Sequence, residues 1–330
     1  MKKFFLAFLF FCAALSYTNA QEGIPVYFDY LSDNYYLVYP SMAGIGEGGK
    51  VRLTLRKQWF NVDEAPNLQT FSGHYRVGES SGVGLILYND ANGYHSQTGI
   101  KTTYAHHLRF GEDFRTLNQL SFGLTAGYIQ SSLDESEFRS VIPDPIINGA
   151  RNSVGYFNVD LGMSYNYLEF YAHTAILNVL GSARDLYTAI EFDNLRRYLV
   201  SMGYVLGKED WQVEPSVLFQ MTDFTQEKTI DINAKVYKNV GFGKVWAGVS
   251  YRRSFDGAQY VADGTLAEQR LQLVTPILGV NYNNFMFSYN YSYQMGDIRF
   301  DNGGFHQITL GYDFGQKEKR YDCNCPAVNY

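Results

Sequence analysis

Residues 229–237, which read Thr-Ile-Asp-Ile-Asn-Ala-Lys-Val-Tyr, decide the fold of this chain. Apolar side chains alternate with polar or charged ones throughout the stretch. Because successive side chains of a β-strand point to opposite faces, the stretch predicts a strand with one apolar and one polar face. A soluble β-sandwich would bury the apolar face against a second sheet, whereas a transmembrane barrel would turn it toward lipid.

The start of the chain favours export. Lys2 and Lys3 precede an apolar run over 4–15, and small residues end at Ala20. This order is that of a secretory signal peptide, so we predict a signal peptide over 1–20 that is cleaved after Ala20. The alternative is an N-terminal membrane anchor. It is disfavoured because the run is shorter than the roughly 20 residues that a spanning helix needs.

The composition favours the barrel over the sandwich. Aromatic residues make up 17% of the chain, with 28 Tyr and 24 Phe, and charged residues only 18%. Soluble domains usually carry about 25% charged residues. Outer-membrane barrels carry aromatic girdles at both membrane interfaces, which would account for this bias. The net charge of −6 and pI near 5.5 weigh against a nucleic-acid partner.

Alternating or β-rich segments recur along the chain and predict an all-β fold. We expect a transmembrane antiparallel β-barrel of about 14 strands over 51–314. The predicted strands are 51–59, 69–75, 82–88, 100–110, 119–129, 154–165, 169–177, 198–206, 211–220, 229–237, 245–251, 271–280, 285–293 and 304–314. An even number places both chain ends on one side of the membrane, which in an outer-membrane barrel is the periplasm.

The gaps between the predicted strands alternate in length. Those after odd strands are mostly long, at 130–153, 178–197, 252–270 and 294–303, and those after even strands are mostly short, at 76–81, 166–168, 207–210 and 281–284. Long extracellular loops and short periplasmic turns are the rule in outer-membrane barrels. In a soluble sandwich, nothing requires loop lengths to alternate between odd and even strands, so the alternation supports the barrel.

Charged residues within the strands set which face is inward. We predict that Arg52, Asp160, Glu214, Asp231 and Lys235 face the lumen. The opposite facing would place charge in hydrocarbon, at roughly 2–4 kcal/mol for an Arg at the mid-plane. We interpret these residues as structural ion pairs rather than as a catalytic set.

The usual signatures of catalysis are missing from the sequence. It contains no Walker loop, HExxH or paired CxxC motif. His106 and His107 are adjacent on a predicted strand, so they point to opposite faces and cannot form a ligand pair. The Gly-rich stretch 44–49 precedes a strand rather than a helix, and we interpret it as a flexible segment before that strand. We therefore expect no enzyme, no cofactor and no metal site.

Residues around the first strand carry a family resemblance. The residues that match are Pro40, Ala43, Gly44, Arg56, Gln58, Trp59, Ala65 and Pro66. Taken in order, and with Glu214-Pro215-Ser216 and 246–252 further on, they resemble the PorP/SprF family of type IX secretion membrane proteins from Bacteroidetes. Tyr39 and Glu64 replace the family's usual Asn and Gly, which indicates a divergent paralogue.

The resemblance implies an outer-membrane accessory component of type IX secretion in a Gram-negative, Bacteroidetes-like bacterium. Its expected partners are outer-membrane lipid, type IX secretion components and a secreted adhesin-like cargo that it binds or anchors, and some family members serve gliding motility. The barrel could instead link to periplasmic secretion machinery. A barrel of this size is too narrow for a folded adhesin, so we expect docking rather than conduction.

Two other functions stay open at this point. One is an outer-membrane transport channel for small or hydrophobic solutes, which the polar strand faces would suit. The other is an outer-membrane enzyme, for which no cluster of Ser, His and acidic residues is visible on the predicted outer loops.

The segments that flank the predicted barrel are short. Residues 21–50 carry many aromatics, which argues against disorder. We predict that this periplasmic or lumenal segment folds into or under the lumen and narrows it. Residues 315–330, with Cys323 and Cys325, form a predicted periplasmic tail.

Overall fold

The structure is a computed structural model of the chain. It describes residues 31, 33–58, 65–111, 115–136, 151–181, 195–207, 210–262, 265–295, 304–315, 321 and 323. The predicted signal peptide, Trp59 and most of the predicted tail, including Cys325, lie outside the described residues. Among the residues described, no helix has the length and apolar composition needed to span a membrane.

Fourteen antiparallel strands of the described chain form one closed sheet. They are β1 (Gly49–Gln58), β2 (Asn67–Arg76), β3 (Ser81–Asn92), β4 (His95–Arg109), β5 (Asn118–Asp134), β6 (Arg151–Tyr167), β7 (Phe170–Leu177), β8 (Arg197–Tyr204), β9 (Trp211–Thr222), β10 (Lys228–Val240), β11 (Gly243–Ala262), β12 (Thr265–Tyr282), β13 (Phe285–Met295) and β14 (Phe305–Phe314). Each strand pairs with its neighbours in sequence, and the predicted 14-stranded barrel is confirmed.

The first and last strands close the barrel. β1 pairs with β14 along its full length, from Gly49 opposite Phe314 to Gln58 opposite Phe305. Closure leaves no sheet edge with unpaired backbone groups at this seam, as a structure surrounded by lipid requires.

The stretch 229–237 lies in β10 and has the alternation that its sequence predicts. Asp231, Asn233 and Lys235 are buried inside the barrel, whereas Ile232 on the opposite face is 57% exposed. Because the outer face is apolar and the inner face polar, the barrel has the surface of a membrane protein.

Two aromatic belts bound the apolar outer surface. Exposed members of the first are Tyr75, Tyr165, Tyr204, Trp211, Tyr282, Phe285 and Tyr312, and those of the second are Tyr128, Phe157, Phe219 and Tyr293. On β12 the belts are eight residues apart, from Tyr282 to Val274, which pairs with Tyr293. At about 3.3 Å per residue this is about 26 Å of strand, or about 20 Å along the membrane normal at a tilt of about 40°, which is close to an apolar band of about 25 Å.

The two ends of the barrel differ. We call the end that holds Gly49 and Phe314 the terminal rim and the opposite end the loop rim. The described connections at the terminal rim are short, and those after β6, β10 and β12 have two residues each, at 168–169, 241–242 and 283–284. This agrees with the predicted short turns.

One predicted loop is wrong. Residues 252–270 are mostly strand, because β11 continues to Ala262 and β12 begins at Thr265. A register shift between Arg253 and Gly257 accommodates the residues whose polarity suggested a loop. β10 pairs with β11 only as far as Ser254, so the hairpin continues beyond its neighbour as a two-stranded ribbon. We call residues 255–262 and 265–271 the β11–β12 ribbon.

Candidate functional site: a plug in the lumen

The segment that precedes β1 lies inside the barrel. Residues 33–45, which we call the plug, contain two 3₁₀ turns, Tyr35–Leu37 and Pro40–Met42. Tyr35, Tyr36, Tyr39 and Met42 are all buried, and Tyr39 has no exposed surface. The plug therefore occupies the lumen at the terminal end of the barrel.

Glycines on the inner wall make a socket for the plug. A Cβ atom on Gly123 would lie 2.2 Å from the main-chain nitrogen of Ser41, and one on Gly82 would lie 2.1 Å from the carbonyl oxygen of Ala43. Contacts this short do not occur between real atoms, so only glycine lets the wall and the plug approach so closely. Gly84 and Gly162 face Tyr36 and Pro40 in the same way.

An ion-pair network ties the plug to the barrel seam. Asp33 Oδ2 lies 3.1 Å from Lys50 Nζ and 3.3 Å from Arg52 Nη2, and Arg52 Nη1 lies 2.5 Å from Asp313 Oδ1. Burial acts to raise the pKa of Asp33, but Lys50 and Arg52 outweigh it and hold that pKa below its ordinary value. Asp33 is therefore a carboxylate near neutral pH, and one guanidinium joins the plug, β1 and β14.

A second anchor centres on Glu214. Its Oε1 accepts a hydrogen bond from Tyr35 at 2.9 Å, and its Oε2 accepts one from Tyr237 at 2.5 Å. Lys235 Nζ lies 3.8 Å from the same carboxylate. Burial, and then the Glu214 charge, raise the pKa of Tyr35, so its hydroxyl stays protonated and able to donate.

The remaining polar contacts of the plug are spread around the wall. They are Tyr36 to Thr103 at 2.9 Å, Tyr39 to Ser201 at 2.7 Å, Ser41 to Ser164 at 2.6 Å, the Gly44 N–H to His74 Nδ1 at 3.0 Å, and His107 Nε2 to the Ala43 carbonyl at 3.0 Å. The imidazole of His173 packs among the rings of Tyr35, Tyr39 and Tyr171. The plug thus contacts strands from much of the circumference.

The five predicted lumen residues fall into two groups. Arg52, Glu214 and Lys235 belong to the plug anchors described above. Asp160 and Asp231 instead form ion pairs within the wall, Asp160 with Lys101 at 2.8 Å and Asp231 with Arg252 at 2.6 Å. All five side chains are buried inside the barrel.

The residues that carried the family resemblance do not form one site. Pro40, Ala43 and Gly44 lie in the plug, whereas Arg56, Gln58, Ala65 and Pro66 lie toward the loop rim. There Arg56 lies over the ring of Phe305, at 5.6 Å from its centroid, and the Gln58 N–H donates to the Pro66 carbonyl at 2.9 Å. Ala65 is buried next to Pro66.

Four residues of the anchors were missed by sequence reasoning, namely Asp33, Lys50, Tyr237 and Tyr171, whose hydroxyl donates to Glu214 Oε1. Their partners lie 17–43 residues away in the chain and on a different element, so no local pattern marks these pairs. The one usable signal was the aromatic density at 35–39, which predicted burial of the segment but not its contacts.

Two described residues of the predicted C-terminal tail pack at the same end of the barrel. Tyr321 and Cys323 are buried in one apolar cluster with the plug residues Tyr39 and Ile45. The guanidinium of Arg109 lies 5.8 Å from the centroid of the Tyr321 ring. Tyr321 and Cys323 thus lie at the terminal rim together with the plug. Nowhere in the described ranges do three or more His, Cys, Asp or Glu residues group in a way that could hold a metal ion.

The sequence of the plugged barrel matches a known family over most of its length. The model of the type IX secretion system membrane protein PorP/SprF matches residues 19–312. The chain belongs to the PorP/SprF family. This PorP/SprF barrel therefore has a role in type IX secretion and resides in the outer membrane. No curated protein sequence matches it significantly.

Solved structures resemble this PorP/SprF barrel in fold alone. The CymD monoaromatic hydrocarbon channel is 11% identical with a TM-score of 0.46, over 82% of this chain and 89% of CymD. The deltaS2 mutant of the TodX monoaromatic hydrocarbon channel is 9% identical with a TM-score of 0.48, over 85% and 92%. CdiB from Acinetobacter baumannii is 8% identical with a TM-score of 0.44, over 81% of this chain but only 60% of CdiB.

Proposed function

We propose that this barrel anchors a cognate adhesin-like surface protein at the outer membrane during type IX secretion, and does not itself conduct that protein. The observation that carries the proposal is the plug, which fills the terminal end of the lumen through Tyr35, Tyr36 and Tyr39. Even barrels of 16–18 strands leave only an aqueous channel, so one of 14 strands with an occupied lumen is too narrow for a folded domain. Docking on the barrel is compatible with this geometry.

In this proposal the terminal rim faces the periplasm and the loop rim faces the outside. The short connections at the terminal rim support that orientation. The plug and the buried tail residues Tyr321 and Cys323 would then face the periplasmic secretion machinery, to which the barrel could link. The cargo would dock at the loop rim.

The β11–β12 ribbon is the part of the described chain that we assign to cargo docking. At its tip Val261 and Leu266 lie opposite each other and are 72% and 77% exposed. They lie beyond the aromatic belt, which β12 crosses near Val274. Apolar side chains that project beyond the membrane are suited to contact another protein.

Deletion of the gene is expected to release the cognate adhesin-like protein from the cell surface into the medium, while other type IX substrates are secreted as before. Quantitative proteomics of surface and medium fractions measures this. A variant that lacks residues 257–270 is expected to reproduce the loss, and the single exchange Lys238→Arg at the opposite rim is the matched control. Unchanged surface levels of every type IX substrate in the deletion strain would contradict the proposal.

A further inference from the structure

We infer that the plug is a removable gate, and that the barrel without it is a pore for ions and small polar solutes. The inference rests on how the wall is bonded, how the plug is held and what lines the lumen beyond it. It concerns a second activity of the barrel, apart from cargo docking.

Four of the wall residues that bind the plug also have partners within the wall. Loss of the plug therefore leaves these four buried groups satisfied, which lowers the penalty for its departure. The retained pairs are Arg52–Asp313 at 2.5 Å, Thr103–Thr125 at 2.7 Å, His107–Ser121 at 2.8 Å and Glu214–Tyr237 at 2.5 Å. A wall that bonded only to the plug would lack such pairs.

The polar contacts that hold the plug are ones that water can replace. Some of its backbone hydrogen bonds are internal, as from the Val38 N–H to the Tyr35 carbonyl and from the Met42 N–H to the Tyr39 carbonyl, whereas the Gly44 N–H and the Ala43 carbonyl bond to wall side chains. The plug is not a strand of the sheet. Its side chains reach the wall through hydroxyl and carboxylate groups, for which hydration is a close substitute. Its departure therefore breaks no strand ladder.

The path of the plug allows it to withdraw as a loop. Asp33, at its start, contacts Lys50 near the terminal end of β1, and its last residues lead directly to Gly49 at the terminal rim. Both ends of the plug thus lie toward one rim, so it can leave the lumen without threading through the barrel.

Polar and charged side chains line part of the lumen beyond the plug. Ser131 Oγ, Gln220 Oε1 and Gln307 Nε2 are buried and have no hydrogen-bond partner among the described residues. Buried polar atoms are normally satisfied, and water is a small enough partner to reach them. The ion pairs of Asp160 and Asp231 line the same region with charges of both signs. Such a lining favours ions and small polar solutes over apolar ones.

Conductance in planar lipid bilayers tests the gate. The wild-type barrel is expected to be closed. Gly123→Val places a branched side chain where Ser41 lies and should displace the plug, giving stepwise single-channel currents. The matched control is Gly73→Val on the outer face of β2, where an added Cβ comes no closer than 3.6 Å to another atom. This control should stay closed.

A second variant changes only the plug. A triple variant, Asp33→Asn with Tyr35→Phe and Tyr39→Phe, removes three of the groups that anchor the plug and leaves the wall intact. It should also open the pore. In that background Ser41→Cys and Ser164→Cys can be cross-linked, because the two Oγ atoms lie only 2.6 Å apart. Cys323→Ser and Cys325→Ser prevent other disulfides.

The oxidised cross-linked barrel is expected to be closed and to open on addition of a reductant. Circular dichroism and heat-dependent gel mobility establish that each variant retains the barrel. Folded barrels that do not conduct in either opened variant would overturn the inference. Equal conductance of the oxidised and the reduced cross-linked forms would also overturn it.

Discussion

Arg52→Leu is expected to lower the free energy of unfolding by about 3–5 kcal/mol, the usual cost of removing one partner from a buried ion pair. Arg52 is 2% exposed and pairs with both Asp33 and Asp313. Its loss leaves the Asp313 carboxylate without its cation at the seam and weakens the link to the plug. Urea unfolding in lipid vesicles, followed by tryptophan fluorescence, measures the change.

The matched control for this experiment is an exposed ion pair. Arg270 pairs with Glu268 at 3.2 Å, and the two side chains are 40% and 47% exposed. Exposed pairs contribute about 0–1 kcal/mol, so Arg270→Leu should change stability little. Equal losses in the two variants would mean that the seam network does not stabilise the barrel.

Ala234→Arg is expected to destabilise the barrel by about 2–4 kcal/mol, because it places a charge on the lipid face near the bilayer mid-plane. Ala234 is exposed on β10, midway between Ile230, which pairs with the belt residue Phe219, and Lys238, which pairs with the belt residue Trp211. The same unfolding assay in vesicles measures the loss.

Val240→Arg is the control for position along the strand. Val240 ends β10 at the terminal rim, two residues beyond Lys238, which pairs with the belt residue Trp211, and there the cost of an outward charge falls to about 0–1 kcal/mol. A similar effect of the two arginines would contradict the assignment of the belts and the membrane position of β10.

The strand pattern could be predicted because it is encoded locally. Residues 231, 233, 235 and 237 are buried in the barrel, and alternating or β-rich segments located all fourteen strands. The exception at 252–270 has a local cause. Asp256 and Gly257 are residue types typical of loops, but here they lie at the register shift within a hairpin. Asp263-Gly264 is a pair typical of a two-residue hairpin turn, and the strand prediction did not take it into account.

The contacts of the plug could not be predicted, because they join residues far apart in the chain. Asp33 pairs with Arg52, which in turn pairs with Asp313, and the Tyr35 hydroxyl donates to Glu214. No sequence period links such positions. Charge within strands marked Arg52, Glu214 and Lys235 as inward-facing, but their shared role in holding the plug follows only from the folded barrel.

Hydrogen exchange at residues 33–45 tests the plugged lumen most directly. The amides of Tyr39, Met42 and Ala43 donate to carbonyls within the plug and are buried in the lumen. In the purified barrel in lipid, mass spectrometry should find that they exchange slowly, on the time scale of barrel strands such as β10. Complete exchange of these amides at the rate of an unstructured peptide would contradict a lumen that is closed by the plug.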